Sequence, residues 1–193
     1  MITKLGGVVA LLVLLASCNT MDNAAQNSLN MSDSSTWKKE VEKNLQLFGH
    51  RNWIVVADAA YPQQSHPAIR TIYAEADQLE VVTYVNTLIE KSDHVTAQIK
   101  LDKELEYVSE EAAGGIGAYR TGLERLLAGK PIQKSLHEDI IRELDSSARL
   151  FNVLVIKTPL AIPYTSVFFQ LECGYWDAES EEALRKKLGT THE

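Results

Sequence analysis

The sequence predicts one α/β domain, a central β-sheet covered by helices, with a charged helical extension at its C-terminus. Two observations carry this. WIVVA (residues 53–57) is apolar at every position, as in a strand covered on both faces. Other strand-like runs, HVTAQIKL, NVLVIKT and SVFFQLECG, are separated by stretches with apolar residues every three or four positions, the spacing of amphipathic helices. No internal repeat interrupts the pattern, and residues 37–193 are enough for one domain with a substantial core.

The chain opens MITKLGGVVALLVLLASCNT, with Lys4 before an apolar run from Val8 to Leu15. That run is too short to span a bilayer and has the tripartite form of a secretory signal, so residues 1–17 are expected to be a signal peptide. Leu15-Ala16-Ser17-Cys18 resembles a bacterial lipobox, which implies cleavage before Cys18 and lipidation of its thiol. The expectation is a lipid-anchored protein of the bacterial cell envelope. Asn19, in place of the aspartate that retains such proteins at the inner membrane, points to the outer membrane, facing the periplasm or the exterior. Residues 18–36, poor in large apolar groups, read as the lipidated cysteine and its flexible tether.

Loss of residues 1–17 removes one of 19 basic groups and no acid, leaving 18 against 26 and a formal charge of −8. No concentrated basic surface is visible, so a nucleic-acid partner is not expected. With Cys18 lipidated, Cys173 is the one remaining thiol and no intrachain disulfide can form.

The elements follow in order. WKKEVEKNLQLFG places Val41, Leu45 and Phe48 at helical spacing, and Gly49 can end that helix before the WIVVA strand. AEADQLEVVTYVNTLIEKS reads as a helix with Leu79, Val82, Val85 and either Leu88 or Ile89 inward. HVTAQIKL alternates, with Val95, Ala97, Ile99 and Leu101 on one side and a wetter face opposite. LDKELEYVSEE can continue into a helix, GAYRTGLERLLAG reads as another, and HEDIIRELDSSARL as a third, in which His137 caps the start or faces water. NVLVIKT and SVFFQLECG are strands, and DAESEEALRKKLG is a charged helix that either packs through Leu184 and Leu188 or frays.

Several chemistries find no support. GGIGAYRTG lacks the glycine spacing and the Gly-Lys-Ser/Thr of phosphate loops, so it reads as a connection between helices. No histidine pair stands at ligand spacing on a helix, and Ser65 lies outside any Gly-x-Ser-x-Gly, so neither a zinc site nor a serine hydrolase is expected.

What stands out is a strand that opens after Gly49-His50 and ends on Asp58, and a late Pro163-Tyr164-Thr165-Ser166 before a hydrophobic strand. Gly49-His50-Arg51-Asn52, WIVVA, Asp58-Ala59-Ala60-Tyr61-Pro62, together with Val155-Ile156-Lys157 and Pro163-Tyr164, resembles the RbsD/FucU family of ribose pyranases and fucose mutarotases over roughly residues 38–170. The resemblance implies a cofactor-free aldose mutarotase or pyranase whose sites are shared between subunits of a ring-like homo-oligomer, with a monosaccharide as partner. It implies that His50 is the catalytic histidine and Asp58 its supporting acid, with Tyr164, Lys157 and Ser166 contacting sugar. Asn52, Ala60, Leu160 and Ser166 depart from the family pattern, which leaves a noncatalytic sugar-binding or structural lipoprotein as the alternative.

The residues suit that chemistry on their own terms. Mutarotation takes a proton from the anomeric hydroxyl while the ring oxygen gains one, and an imidazole titrating near pH 6.5 can serve either transfer. A strand between His50 and Asp58 would hold them more than about 20 Å apart, so pairing requires a loop folded over the strand end or an adjacent subunit.

Overall fold

The computed structural model describes residues 36–189. The expected signal peptide, Cys18 and nearly all of the tether lie outside the described residues. Helix α1 covers 36–47, and its sequence-expected inward residues Val41 and Leu45 are buried with Trp37, as is Phe48 just beyond its end. Then come β1 (Trp53–Ala57), β2 (Ile69–Tyr73), α2 (Gln78–Glu90), β3 (Val95–Asp102), a 3-10 turn (Lys103–Glu106) and α3 (Ile116–Leu126). β4 (Ile132–Ser135), α4 (His137–Ala148), β5 (Val153–Lys157), β6 (Val167–Cys173) and α5 (Ala178–Leu188) complete the chain.

The strands form one sheet in the order β2-β5-β1-β6-β3-β4. β1, β2 and β5 run parallel, β6 is antiparallel to both β1 and β3, and β4 is parallel to β3. Five strands therefore bring their carboxyl ends to one end of the molecule, where β6 begins. β1 and β5, in the middle of the sheet, are buried at nearly every position, which is why their sequences show no alternation.

The two faces bury different residues. Ile54, Val56, Leu154, Ile156 and Phe169 face α1, α2 and α3, while Trp53, Val55, Val153, Val155 and Phe168 face α4 through Ile140, Leu144 and Ala148. Local signals start and stop the helices. Asp77 Oδ1 accepts from Leu79 N and Glu80 N at the start of α2, and Asp177 from Ser180 N at the start of α5. Gly189, at φ 70°, closes α5.

Three readings change. β2 (IRTIY) and β4 (IQKS) are strands at the two edges of the sheet, each broken by polar and exposed positions so that neither stands out as a hydrophobic run. LDKELEYVSEE gives a single 3-10 turn instead of a longer helix, because β3 stays extended through Asp102, which is 1% exposed. The helix of DAESEEALRKKLG forms, yet none of its residues is buried; caps and the pairs Arg185–Glu181 and Lys186–Glu182 hold it. The wetter face of β3 is exposed at Thr96 but closes over Lys100 and Asp102.

Candidate functional site

At the carboxyl end of the sheet, β1 passes directly into Asp58. Its Oδ1 accepts from Ala60 N at 2.8 Å, turning the chain outward, and its Oδ2 accepts from Ser166 Oγ at 3.3 Å. Ser166 stands just before β6 and is 1% exposed, its hydroxyl turned to the Asp58 carboxylate. Ala59 N donates to Leu160 O at 2.8 Å and joins the loop after β1 to the loop after β5. Lys157 ends β5 in register with Ala57 on one side and Tyr73 on the other.

A buried polar network sets the height of the β5–β6 loop. Gln78, the first residue of α2, is 1% exposed, and its Nε2 donates to Thr165 O at 2.6 Å. Tyr119 Oη donates to the same carbonyl at 2.6 Å and accepts from Gln78 Nε2 at 3.1 Å. Thr158 Oγ1 donates to Gln78 Oε1 at 2.7 Å. Clamped in this way, the loop holds Tyr164 in the left-handed region at φ 59°, a conformation a non-glycine residue keeps only where its surroundings impose it. Tyr164 is 39% exposed and meets His137 edge-on, with ring centroids 5.9 Å apart.

His137 is the residue that sequence reasoning passed over. It was expected to cap α4 or to face water, and it does open α4, but its Nδ1 lies 3.0 Å from Oδ2 of Asp102, whose side chain is wholly buried. Glu104, in the 3-10 turn, accepts the His137 backbone N–H on both carboxylate oxygens at 3.1 Å. The Asp102 hydrogen bond raises the His137 pKa above the ordinary imidazole value, helped by the charges of Glu104 and Asp58. Burial raises the Asp102 carboxyl as well, although His137 opposes the shift. Tyr61, just past Asp58, has a buried hydroxyl raised mainly by desolvation, with Asp145, Asp102 and Asp58 adding to it.

The chain thus brings Asp58, Ser166, Tyr164 and Lys157 to one end of the sheet and adds His137 and Asp102. His50 is not there. It sits in the exposed turn before β1, at the amino end of that five-residue strand, whereas Asp58 follows its carboxyl end. The first route to a His50–Asp58 pair, a loop folded back over the strand, is therefore not taken within the chain. Around His50 a concavity of about 560 Å³ is lined by Arg51, Thr96, Glu172, Trp176 and Asp177. The indole of Trp176 is fixed there by Nε1 donating to Glu181 Oε2 at 2.9 Å. This hollow is roomy, but the hydrogen-bonded histidine–carboxylate pair lies at the other end.

Departures from the sequence resemblance find structural uses. Asn52 Oδ1 accepts from Gly49 N at 2.8 Å and its Nδ2 donates to Asn152 O at 3.1 Å, so it braces the turn that carries His50. The glycine loop before α3 holds an internal anion: Glu110 accepts from Gly115 N and from Gly117 N. Among the described residues no group of three or more His, Cys, Asp or Glu could hold a metal ion.

This order of strands and helices is the RbsD-like fold. The solved structure of Bacillus subtilis RbsD complexed with D-ribose superposes with a TM-score of 0.50 at 18% identity, covering 69% of this chain and 91% of that one. The fucose mutarotase from Streptococcus pneumoniae in complex with L-fucose aligns at 22% identity and a TM-score of 0.45, over 67% of this chain and 89% of that one. FucU from Bifidobacterium longum aligns at 15% identity and 0.48, over 69% and 94%. No protein-family profile matches the sequence, and no curated protein sequence matches it. At these identities the likeness is one of fold.

Proposed function

We propose that the protein binds a monosaccharide at the carboxyl end of its sheet and interconverts the sugar's cyclic forms by proton transfer. The observation that carries this reading is the half-buried His137, hydrogen-bonded to Asp102 and packed edge-on to Tyr164, at the end of the sheet that also holds the Asp58–Ser166 pair. In α/β sheets the crevice beyond the strand carboxyl ends is the usual ligand position. Sugar-bound RbsD and fucose mutarotase on the same fold favour a monosaccharide over other small polar ligands. In this reading His137 takes the anomeric proton or protonates the ring oxygen, Tyr164 offers a ring face and a hydroxyl, and Asp58 and Lys157 contact sugar hydroxyls.

His50 keeps a place through assembly. A second copy docking its amino end on this carboxyl end would bring His50 beside Asp58, which one chain cannot do. We further propose that the mature protein is tethered to a bacterial outer membrane by lipid on Cys18. Radiolabelled palmitate incorporation that survives a Cys18→Ala change would refute that part.

Exchange NMR with ribose, fucose and related aldoses tests the main reading. Exchange between anomers or ring forms should accelerate in proportion to protein concentration. Binding without acceleration across the panel between pH 5 and 8 would leave a noncatalytic sugar-binding protein.

A further inference from the structure

Asp102 has no counterpart among the residues that the sequence singled out, and its placement is odd for a purely structural group. β3 points Lys100 and Asp102 toward the α4 face, where Lys100 pairs with Glu143 but Asp102 reaches His137. One carboxylate oxygen of Asp102 is used by His137, while Oδ1 is buried with no hydrogen-bond partner. A buried acid satisfied on one side only is a poor brace for a fold, since an apolar side chain of similar size would fill the space without desolvating a charge.

The other acids near His137 already have different tasks. Glu104 spends both oxygens on the His137 backbone N–H, and Asp58 is held by Ala60 N and Ser166 Oγ. Asp102 is the acid that touches the imidazole itself. A carboxylate acceptor on Nδ1 keeps the proton of the neutral ring on that nitrogen and leaves Nε2 with its lone pair.

We propose that Asp102 is the positioning residue of the site: it holds His137 Nδ1–H, so that Nε2 is the one ring nitrogen that exchanges protons with a bound sugar. The role rests on the mutarotase reading above, but the tautomer can be measured without any sugar. The proton balance is simple. Nε2 takes a proton from the anomeric hydroxyl as the bond between the anomeric carbon and the ring oxygen breaks and the carbonyl forms. The imidazolium, held against the Asp102 carboxylate, gives that proton to the departing ring oxygen. After the open chain rotates, closure runs the same steps in reverse, re-forming the bond and returning the proton to the new anomeric oxygen. No net proton is consumed.

The groups facing His137 are Asp102 on β3, Glu104 in the 3-10 turn, Asp58 after β1 and Tyr164 in the β5–β6 loop. His94 supplies an internal reference. Its Nε2 lies 3.0 Å from Leu45 O and 3.1 Å from Phe48 O, with Nδ1 2.7 Å from Ser92 Oγ, so its neutral ring must carry the proton on Nε2, the opposite tautomer.

The experiment is histidine ¹⁵N correlation NMR of the wild-type protein as a function of pH, with His137 assigned through His137→Gln. The neutral His137 ring should show protonated Nδ1 and bare Nε2, while His94 shows the reverse. In Asp102→Asn the His137 titration midpoint should fall and the tautomer preference should weaken. Wild-type His137 with protonated Nε2 would overturn the proposal even if the Asn variant failed to fold. An unchanged midpoint and tautomer in a folded Asp102→Asn protein would overturn it too. Where the wild type accelerates sugar exchange, Asp102→Asn should lower kcat by about 10- to 100-fold with little change in KM. If the tautomer is as stated and no sugar is turned over, the mutarotase reading fails and the control of His137 by Asp102 stands.

Discussion

His137 joins three constraints in one residue: Glu104 fixes its backbone, Asp102 its ring nitrogen and Tyr164 its ring face. Its side chain contributes little to the core, because the buried α4 positions are Ile140, Leu144 and Ala148. His137→Ala should therefore stay folded by circular dichroism while exchange activity drops by about 10² to 10⁴-fold, the usual contribution of a general acid-base group. A folded variant with wild-type rates from pH 5 to 8 would remove His137 from the reaction. The same pair makes stability pH-dependent. Folding raises the proton affinity of His137, so its stabilising contribution is complete below about pH 6.5 and is lost as pH rises through the higher folded-state value. Asp102 has the same sign: the folded state binds its proton more tightly than the unfolded chain does, so raising the pH through that range also disfavours folding. The difference in urea midpoint between wild type and His137→Gln should shrink from pH 6 to pH 9. A difference that grows over that range contradicts the assigned shift.

Elements meet closely in two places, with different consequences. A Cβ on Gly174 would stand 2.8 Å from Val95 N and 3.0 Å from Val95 C, backbone atoms of β3 that cannot turn aside. Gly174→Ala should cost about 1–3 kcal/mol, the range for overpacking, read as a lower urea midpoint with unchanged slope. At Gly122, where α3 crosses α2, the added carbon would meet the Cδ1 of Leu79 at 2.5 Å, and a leucine tip can rotate away at smaller cost. The β5–β6 loop depends on α2 and α3 through Gln78 and Tyr119. Removing the Tyr119 hydroxyl with Tyr119→Phe deletes one of two donors to Thr165 O, so it should cost about 0.5–1.5 kcal/mol and loosen Tyr164 more than the core. Hydrogen exchange of the 164–166 amides, compared with that of β1, would show whether the loosening is local.

Across the whole molecule, exposed apolar groups collect at both ends of the sheet. Tyr73, Leu136 and Tyr164 stand near the carboxyl end, and Leu47, Leu150 and Trp176 near the amino end. Head-to-tail association would cover both sets and supply His50 to a neighbour's Asp58. Light scattering of protein lacking residues 1–18 should give a defined oligomer. Mixing His50→Ala with His137→Ala chains should then restore part of the exchange rate, since some boundaries receive an intact residue from each side. A concentration-independent monomer would remove the shared site while leaving His137, Asp102 and Asp58 together in one chain. Among the described residues no helix is long and apolar enough to cross a membrane.

The α/β class, the two central strands and the strand-end position of Asp58 were legible because continuous apolar runs and helical spacing are local properties of the chain. Tyr164 and Ser166 were legible as a motif, although the use of the Ser166 hydroxyl on Asp58 was not. His137 was not legible as a site residue. Spacing along one strand could say that His50 and Asp58 lie apart within a chain, but not that another histidine, His137, would reach a second acid, Asp102. That answer depends on β3 and β4 pairing in parallel at the edge of the sheet, with Asp102 in register with Ser135, so that the first residue of α4 falls against the buried carboxylate. β4 has too few apolar residues to announce itself, and Asp102 looks from its neighbours like the start of a charged helix. Local sequence determines which segments become strands and helices; the lateral order of strands, and therefore which side chains from distant segments share an end of the sheet, is set only when the hydrophobic faces are buried together.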